Sequence, residues 1–245
     1  MSNMVMEAEQ TLGRETVRNT AALPAPRPDP YTAVHKGLRT FMSETLAAVG
    51  RMDVDDPAEV ADVLAQVRGL LWVCRDHLGH ENRHLHAAME ARSPGASRAT
   101  AADHVDHERA FAALEADVQA LEHASGPRRA AAALHLYRQL AVFVGENFAH
   151  MHTEETDNTA LLWQTHTDAE LVAIHQRIVS SIPPATMAVY LRWMVPAMSP
   201  AERAGMLGSM RGGMPAEAFA GVLATVRPHL RERDWDKLAR ALAAA

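Results

Sequence analysis

The chain has 245 residues, enough to bury a core in one large domain or in one domain with an appendage. Its formal charge of -6 mixes both signs and forms no basic stripe for a phosphate backbone, and no apolar run approaches the roughly 20 residues that cross a bilayer, so neither nucleic acid nor a membrane is expected as a partner. The one cysteine, Cys74, excludes a disulfide framework and a thiolate-rich metal site, and it suits a reducing, cytoplasmic location.

Aromatic residues are only 5% and alanine is abundant, while the β-branched runs of strands are nearly absent, so an all-α fold is expected. Residues 1–28 carry acidic, polar and proline-rich segments and read as a mobile leader. Asp29-Pro30 then supplies a cap and a first helical proline for a helix over roughly 30–50, with Val34, Leu38, Phe41, Met42 and Leu46 at helical spacing. Asp56-Pro57-Ala58-Glu59 opens a second, long helix that should end before Ser93-Pro94-Gly95. Thr100 is the expected cap of the third, whose apolar stripe from Val105 to Leu121 stops at Ser125-Gly126-Pro127. Pro127 opens the fourth, which fades near Asn158 or Trp163. Ser181-Ile182-Pro183-Pro184, Val195-Pro196, Ser199-Pro200 and Gly212-Gly213-Met214-Pro215 divide the remainder into short helices of ten to fifteen residues. The expected architecture is an antiparallel up-down four-helix bundle over 29–163 with a helical C-terminal extension over 164–245. That extension packs on the bundle or on a partner, and a homodimer could form through it.

Histidine occurs 14 times, and its placement is the main functional signal. In an up-down bundle the first and third helices begin where the second and fourth finish. His35 lies early in the first helix, His77 and Glu81 late in the second, His104 and His107 early in the third, and His150 and Glu154 late in the fourth, so all converge at one end. Residues four apart share a helix face, which makes His77 with Glu81 and His150 with Glu154 two-donor clamps. On the third helix the clamp is His104 with His107 or His104 with Glu108. Buried imidazoles and carboxylates are costly unless a metal satisfies them. Two cations would find five imidazoles and two carboxylates able to bridge. With nitrogen and oxygen donors, iron is the first choice, manganese the second and zinc the third.

This pattern resembles the hemerythrin-like, or histidine-histidine-glutamate cation-binding, proteins. The resemblance rests on a lone histidine in the first helix (His35), His-x-x-x-Glu in the second (His77 to Glu81), histidine in the third (His104 or His107) and His-x-x-x-Glu-Glu in the fourth (His150 to Glu155), over roughly 29–163. It implies a non-heme di-iron centre with bridging carboxylates that binds dioxygen or senses oxygen or iron. The chain departs from the oxygen carriers in spacing the third-helix histidines three apart instead of four. It also offers both Glu154 and Glu155 where the carriers place one aspartate five after the histidine.

The reading that follows is a non-heme di-iron protein binding or sensing dioxygen or a related small oxidant through His35, His77, Glu81, His104, His107, His150 and Glu154. Two alternatives stand beside it. One is a di-iron oxidoreductase removing peroxide or oxidising a small substrate, and the other is a non-catalytic helical interaction module. A ferritin-like di-iron site needs two Glu-x-x-His motifs, and Glu81-Asn82-Arg83-His84 is the only one. His123, His135, His166, His175 and His229 are assigned to ordinary surface roles. His80, His84, His86 and His152 neighbour the clamps on other faces, and His80 is the first candidate among them for an additional ligand.

Overall fold

A computed structural model describes residues 27–244, and helices account for nearly all of them, with no strand among the described residues. The expected leader thus lies, except for Arg27 and Pro28, outside the described residues. Helix α1 (Thr32–Arg51) starts two residues later than the sequence suggested. Asp29 still caps it, its Oδ1 accepting from the amides of Tyr31 at 2.8 Å and Thr32 at 3.1 Å. Helix α2 (Pro57–His80) opens as expected, with the Asp56 carboxylate accepting from Ala58 and Glu59.

The rod does not remain α-helical to its end. A π-helical stretch (Glu81–His86) separates α2 from α3 (Ala87–Arg92). The fourth bundle helix repeats the device: α5 (Pro127–Thr153) passes through a π-helical stretch (Glu154–Asn158) into α6 (Thr159–Thr165). Each π stretch begins at the glutamate of a His-x-x-x-Glu clamp. Between these rods runs α4 (Arg98–His123). Thr100 does not cap it; its side chain is buried, and its hydroxyl lies 3.2 Å from both Ser97 O and His86 Nε2.

Short connections join α1 to α2, the second rod to α4, and α4 to α5, so sequential helices run antiparallel. α1 lies beside α2 and α5, and α4 lies beside the same two, which closes the four into a ring. Its core holds Leu38, Phe41, Leu64, Val67, Leu70, Leu114, Val118, Leu136, Leu140 and Phe143. Each buried side chain of this size contributes roughly 1.5–3 kcal/mol of hydrophobic stabilisation.

The C-terminal helices are α7 (Asp168–Ser181), α8 (Pro184–Ala197), α9 (Pro200–Gly213), α10 (Ala216–Val226) and α11 (Glu232–Ala244). Capping boxes at Thr167/Glu170 and Ser199/Glu202 start α7 and α9. Val195-Pro196 does not end α8, which carries Pro196 in its last turn. α8 lies along α1 as a fifth wall. Gly37 allows the approach, since a Cβ there would sit 3.0 Å from the Met194 backbone, and Trp193 stacks on Phe41 with centroids 3.9 Å apart. The same helix sends Tyr190 into the bundle core and Leu191 and Val195 into a second core with Leu207, Phe219 and Val226. A third small core, around Tyr31, Leu85, Met89, Leu162 and Ile174, seals the end of the bundle where the histidines gather. No helix among the described residues is long and apolar enough to cross a membrane.

Candidate metal centre

The seven residues singled out in the sequence meet in one buried cluster. His35 and Glu154 are 0% exposed, Glu81 and His104 are 3%, and His107 and His150 are nearly as enclosed. His77 is the most open, at 13% for its side chain. Two imidazole groups face each other: His35 and His77 on one side, His104 and His150 on the other, with the His107 ring 4.8 Å from that of His150. The carboxylates lie between the groups. Glu81 Oε1 is 3.0 Å from His77 Nε2 and 3.5 Å from His35 Nε2, while its Oε2 is 3.5 Å from His104 Nε2. Glu154 Oε2 is 3.5 Å from His35 Nε2 and 3.3 Å from His150 Nε2. Each carboxylate therefore reaches both groups.

Outer partners fix which ring nitrogen is turned inward. His35 Nδ1 is 3.2 Å from Glu155 Oε1, and His150 Nδ1 is 3.1 Å from Asp103 Oδ2. Carboxylates only accept, so both Nδ1 atoms donate. His104 Nδ1 donates to the Asn82 carbonyl oxygen at 2.8 Å. In the neutral rings of His35, His104 and His150 the lone pair then sits on Nε2; those of His104 and His150 point at one another at 3.0 Å, and His35 Nε2 lies 3.2 Å from His77 Nε2. Opposed lone pairs at that distance repel unless a proton or a cation lies among them. Glu81 Oε1 and both oxygens of Glu154 are buried without a hydrogen-bond partner; the nearby imidazole nitrogens are close but not aligned to donate. Buried acceptors without donors cost about 1–3 kcal/mol each, and a pair of cations resolves both faults. The donor set fits a dinuclear site of nitrogen and oxygen ligands.

The electrostatics point the same way. Burial pushes Glu81 up, but the His77 and His35 charges and contacts outweigh it and hold the carboxyl well below the usual range. Glu154 is raised by burial and by Glu81, yet its contacts with His104 and His150 bring it below its ordinary value. Burial disfavours a charged His35, while Glu155 and Glu81 more than compensate and raise it to about 9. His107, pushed down to about 4 by burial and by the positive potential of His150 and His104, stays neutral and presents a free lone pair. Without metal the cluster must therefore keep protons among its histidines to offset two buried anions.

The residues left open in the sequence now separate. Glu155 does not bridge; it stands behind His35, held by Arg39 at 2.5 and 2.9 Å, and that contact and His35 bring it to about 2 against the opposing effect of burial. Glu108 is exposed and pairs with Arg75. His80 turns away from the cluster, with Nε2 3.4 Å from Asp76 and Nδ1 3.4 Å from Ser181 of α7. The Tyr190 hydroxyl of α8 donates to the same Asp76 at 2.8 Å. His84 stacks on His80, His152 is exposed, and His86 is the neighbour that matters, its ring stacked on His104 with centroids 4.8 Å apart. His123, His135, His175 and His229 are exposed, and His166 lies half-buried against Thr165, away from the cluster.

Sequence reasoning missed the outer partners Asn82, Asp103 and Arg39, and also Tyr31. The Tyr31 phenol is fully buried, accepts from Asn158 at 3.4 Å, and is raised by burial and by Glu154 and Glu81. Its one signal was its position four residues before His35. A cavity of about 20 Å³ adjoins the cluster, its apolar wall made by Leu38, Met42, Cys74, Leu78, Phe111 and Met151.

Fold and cluster together define a helical bundle that holds cations through histidine and carboxylate. The family model of the Hemerythrin HHE cation binding domain matches residues 29–162, more than half of the chain, and the chain belongs to that family. No curated protein and no solved structure gives a significant match.

Proposed function

We propose that the protein is a non-heme di-iron protein that binds or senses dioxygen or a related small oxidant. One observation carries the reading: two pairs of imidazole Nε2 atoms face each other across two buried carboxylates, three of whose four oxygens lack donors. His35 and His77 would hold one iron, His104, His107 and His150 the other, and Glu81 and Glu154 would span both. Bound iron supplies the electrons and the Lewis acidity that oxygen chemistry needs.

The surrounding residues do the rest. Glu155 and Asp103 orient His35 and His150 and strengthen them as donors. Leu38, Leu78 and Phe111 keep bulk water from the cluster, whose enclosed space of about 20 Å³ is too small for an organic substrate. That size favours a diatomic or peroxide-sized ligand over an organic substrate. The single free cysteine, buried at Cys74, suits a reducing cytoplasm.

The test is to load the protein anaerobically with ferrous iron, measure iron per chain, and then admit oxygen. A visible absorption band that forms on oxygenation and is reversed by degassing supports reversible binding. Rapid bleaching with turnover of peroxide points to an oxidoreductase, and no spectral change in iron-loaded protein contradicts the proposal.

A further inference from the structure

The apolar wall of the metal cavity is not chemically inert. Three of its side chains carry sulfur: Met42, Met151 and Cys74. They are 1%, 2% and 5% exposed, so an oxidant dissolved in bulk solvent does not meet them directly. They nevertheless line the same small space as Glu81, Glu154, His104 and His150. The remaining apolar lining, Leu38, Leu78 and Phe111, offers no group that a peroxide oxidises under mild conditions. A thioether reacts without first losing a proton.

We propose that Met42 and Met151 are oxidation sites of the metal cavity, thioethers that capture a peroxide-class oxidant admitted to the cluster and become sulfoxides. This rests on the di-iron reading above. In the step, a sulfur lone pair attacks one peroxide oxygen and the O–O bond breaks. A proton passes to the departing oxygen, so sulfur loses two electrons and peroxide is reduced to water. The products are one methionine sulfoxide and one water. The new S=O group is polar and larger than the thioether, and it faces a cavity of about 20 Å³ already crowded with carboxylate acceptors. It displaces its neighbours. Met151 follows His150 directly in α5, so the strain falls on a ligand-bearing turn and loosens the hold on the cations. An oxidant that is not discharged is thereby recorded in the protein as a weakened centre.

Burial makes the test sharp, because Met206, Met210 and Met214 on the C-terminal helices are more exposed than either cavity methionine. Iron-loaded protein is titrated with hydrogen peroxide, digested, and mapped by mass spectrometry, with metal-free protein treated in parallel. The expected result in loaded protein is addition of one oxygen atom to the Met42 and Met151 peptides at least about tenfold ahead of the Met206, Met210 and Met214 peptides. Metal-free protein should show the opposite order. Met42→Leu and Met151→Leu, which conserve volume, should bind iron normally and no longer release it after peroxide. Iron uptake with oxidation that follows exposure overturns this inference alone, and failure to take up iron overturns the di-iron reading along with it.

Discussion

Replacing Glu154 with glutamine separates the stability of the empty cluster from that of the loaded one. Glu154 is 0% exposed and has no hydrogen-bond partner for either oxygen; burial and the charge of Glu81 raise it, but His104 and His150 bring it below its ordinary value. Glu154→Gln keeps the shape, removes one of two neighbouring anions, and adds an amide donor opposite imidazole lone pairs. Removing one member of a buried set of opposite charges commonly costs about 3–5 kcal/mol, and His104 and His150 favour the Glu154 anion, so the metal-free variant should be less stable than the wild type. Loaded protein should show a larger loss. At free metal about 100-fold above Kd, binding stabilises the native state by about 2.7 kcal/mol; if losing one bridging anion weakens binding about 100-fold, the gain falls to about 0.4 kcal/mol. At about 2–4 °C per kcal/mol for a chain of this size, ferrous iron should raise Tm by about 5–11 °C in the wild type and by about 1–2 °C in the variant. Anaerobic calorimetry with and without iron reads both effects. A metal-free variant that melts above the wild type, or an iron-induced shift equal in the two proteins, refutes the reasoning.

Three further outcomes follow from the same geometry. Asp103→Ala removes the acceptor for His150 Nδ1 and should weaken metal binding about 10- to 100-fold in a chelator competition, with unchanged affinity counting against its role. His35, raised in the fold from its ordinary 6.5 to about 9, contributes stability to the metal-free protein below pH 6.5 that is lost as pH rises through about 9. Urea unfolding of metal-free protein should therefore report falling stability across that window, and a flat profile contradicts the assignment. Gly37→Ala places a methyl 3.0 Å from the Met194 backbone and should cost about 1–3 kcal/mol, whereas Gly145→Ala, with open space around it, should gain up to about 1 kcal/mol as a helical substitution. Thermal melts of the two variants that move in the same direction would show that α8 does not bear on α1 at that point.

Much of the cluster was legible because the chemistry that needs it also fixes its spacing. His77 with Glu81, and His150 with Glu154, stand four apart on helices whose starts are marked by Asp56-Pro57 and Pro127, so their end of the bundle could be placed from sequence. What escaped was whatever departs from the period of 3.6. The two π stretches leave no mark in an apolar pattern, because an extra residue in one turn shifts the faces without changing composition. Glu154 stands at the cluster as its spacing from His150 predicts, whereas beyond the first π stretch it is His86 that stacks on His104, while His80, the first candidate among the flanking histidines, turns away. Thr100 and Asp29 show a second limit. Both are good caps by type, yet Thr100 is turned into a buried polar contact with His86, and Asp29 caps a helix that begins two residues further on. The approach of α8 to α1 depended on one missing side chain, at Gly37, which no local pattern distinguishes from any other helical glycine.

The claim on which the rest depends is that Glu81 and Glu154 lie between two cations. A crystal structure of iron-loaded protein with an anomalous difference map at the iron edge tests it directly. The account predicts two peaks in the cluster, one beside His35 and His77 and one beside His104, His107 and His150, with both carboxylates reaching each. No peak there, or iron bound only outside this cluster while the imidazoles keep their direct Nε2 contacts, would contradict it.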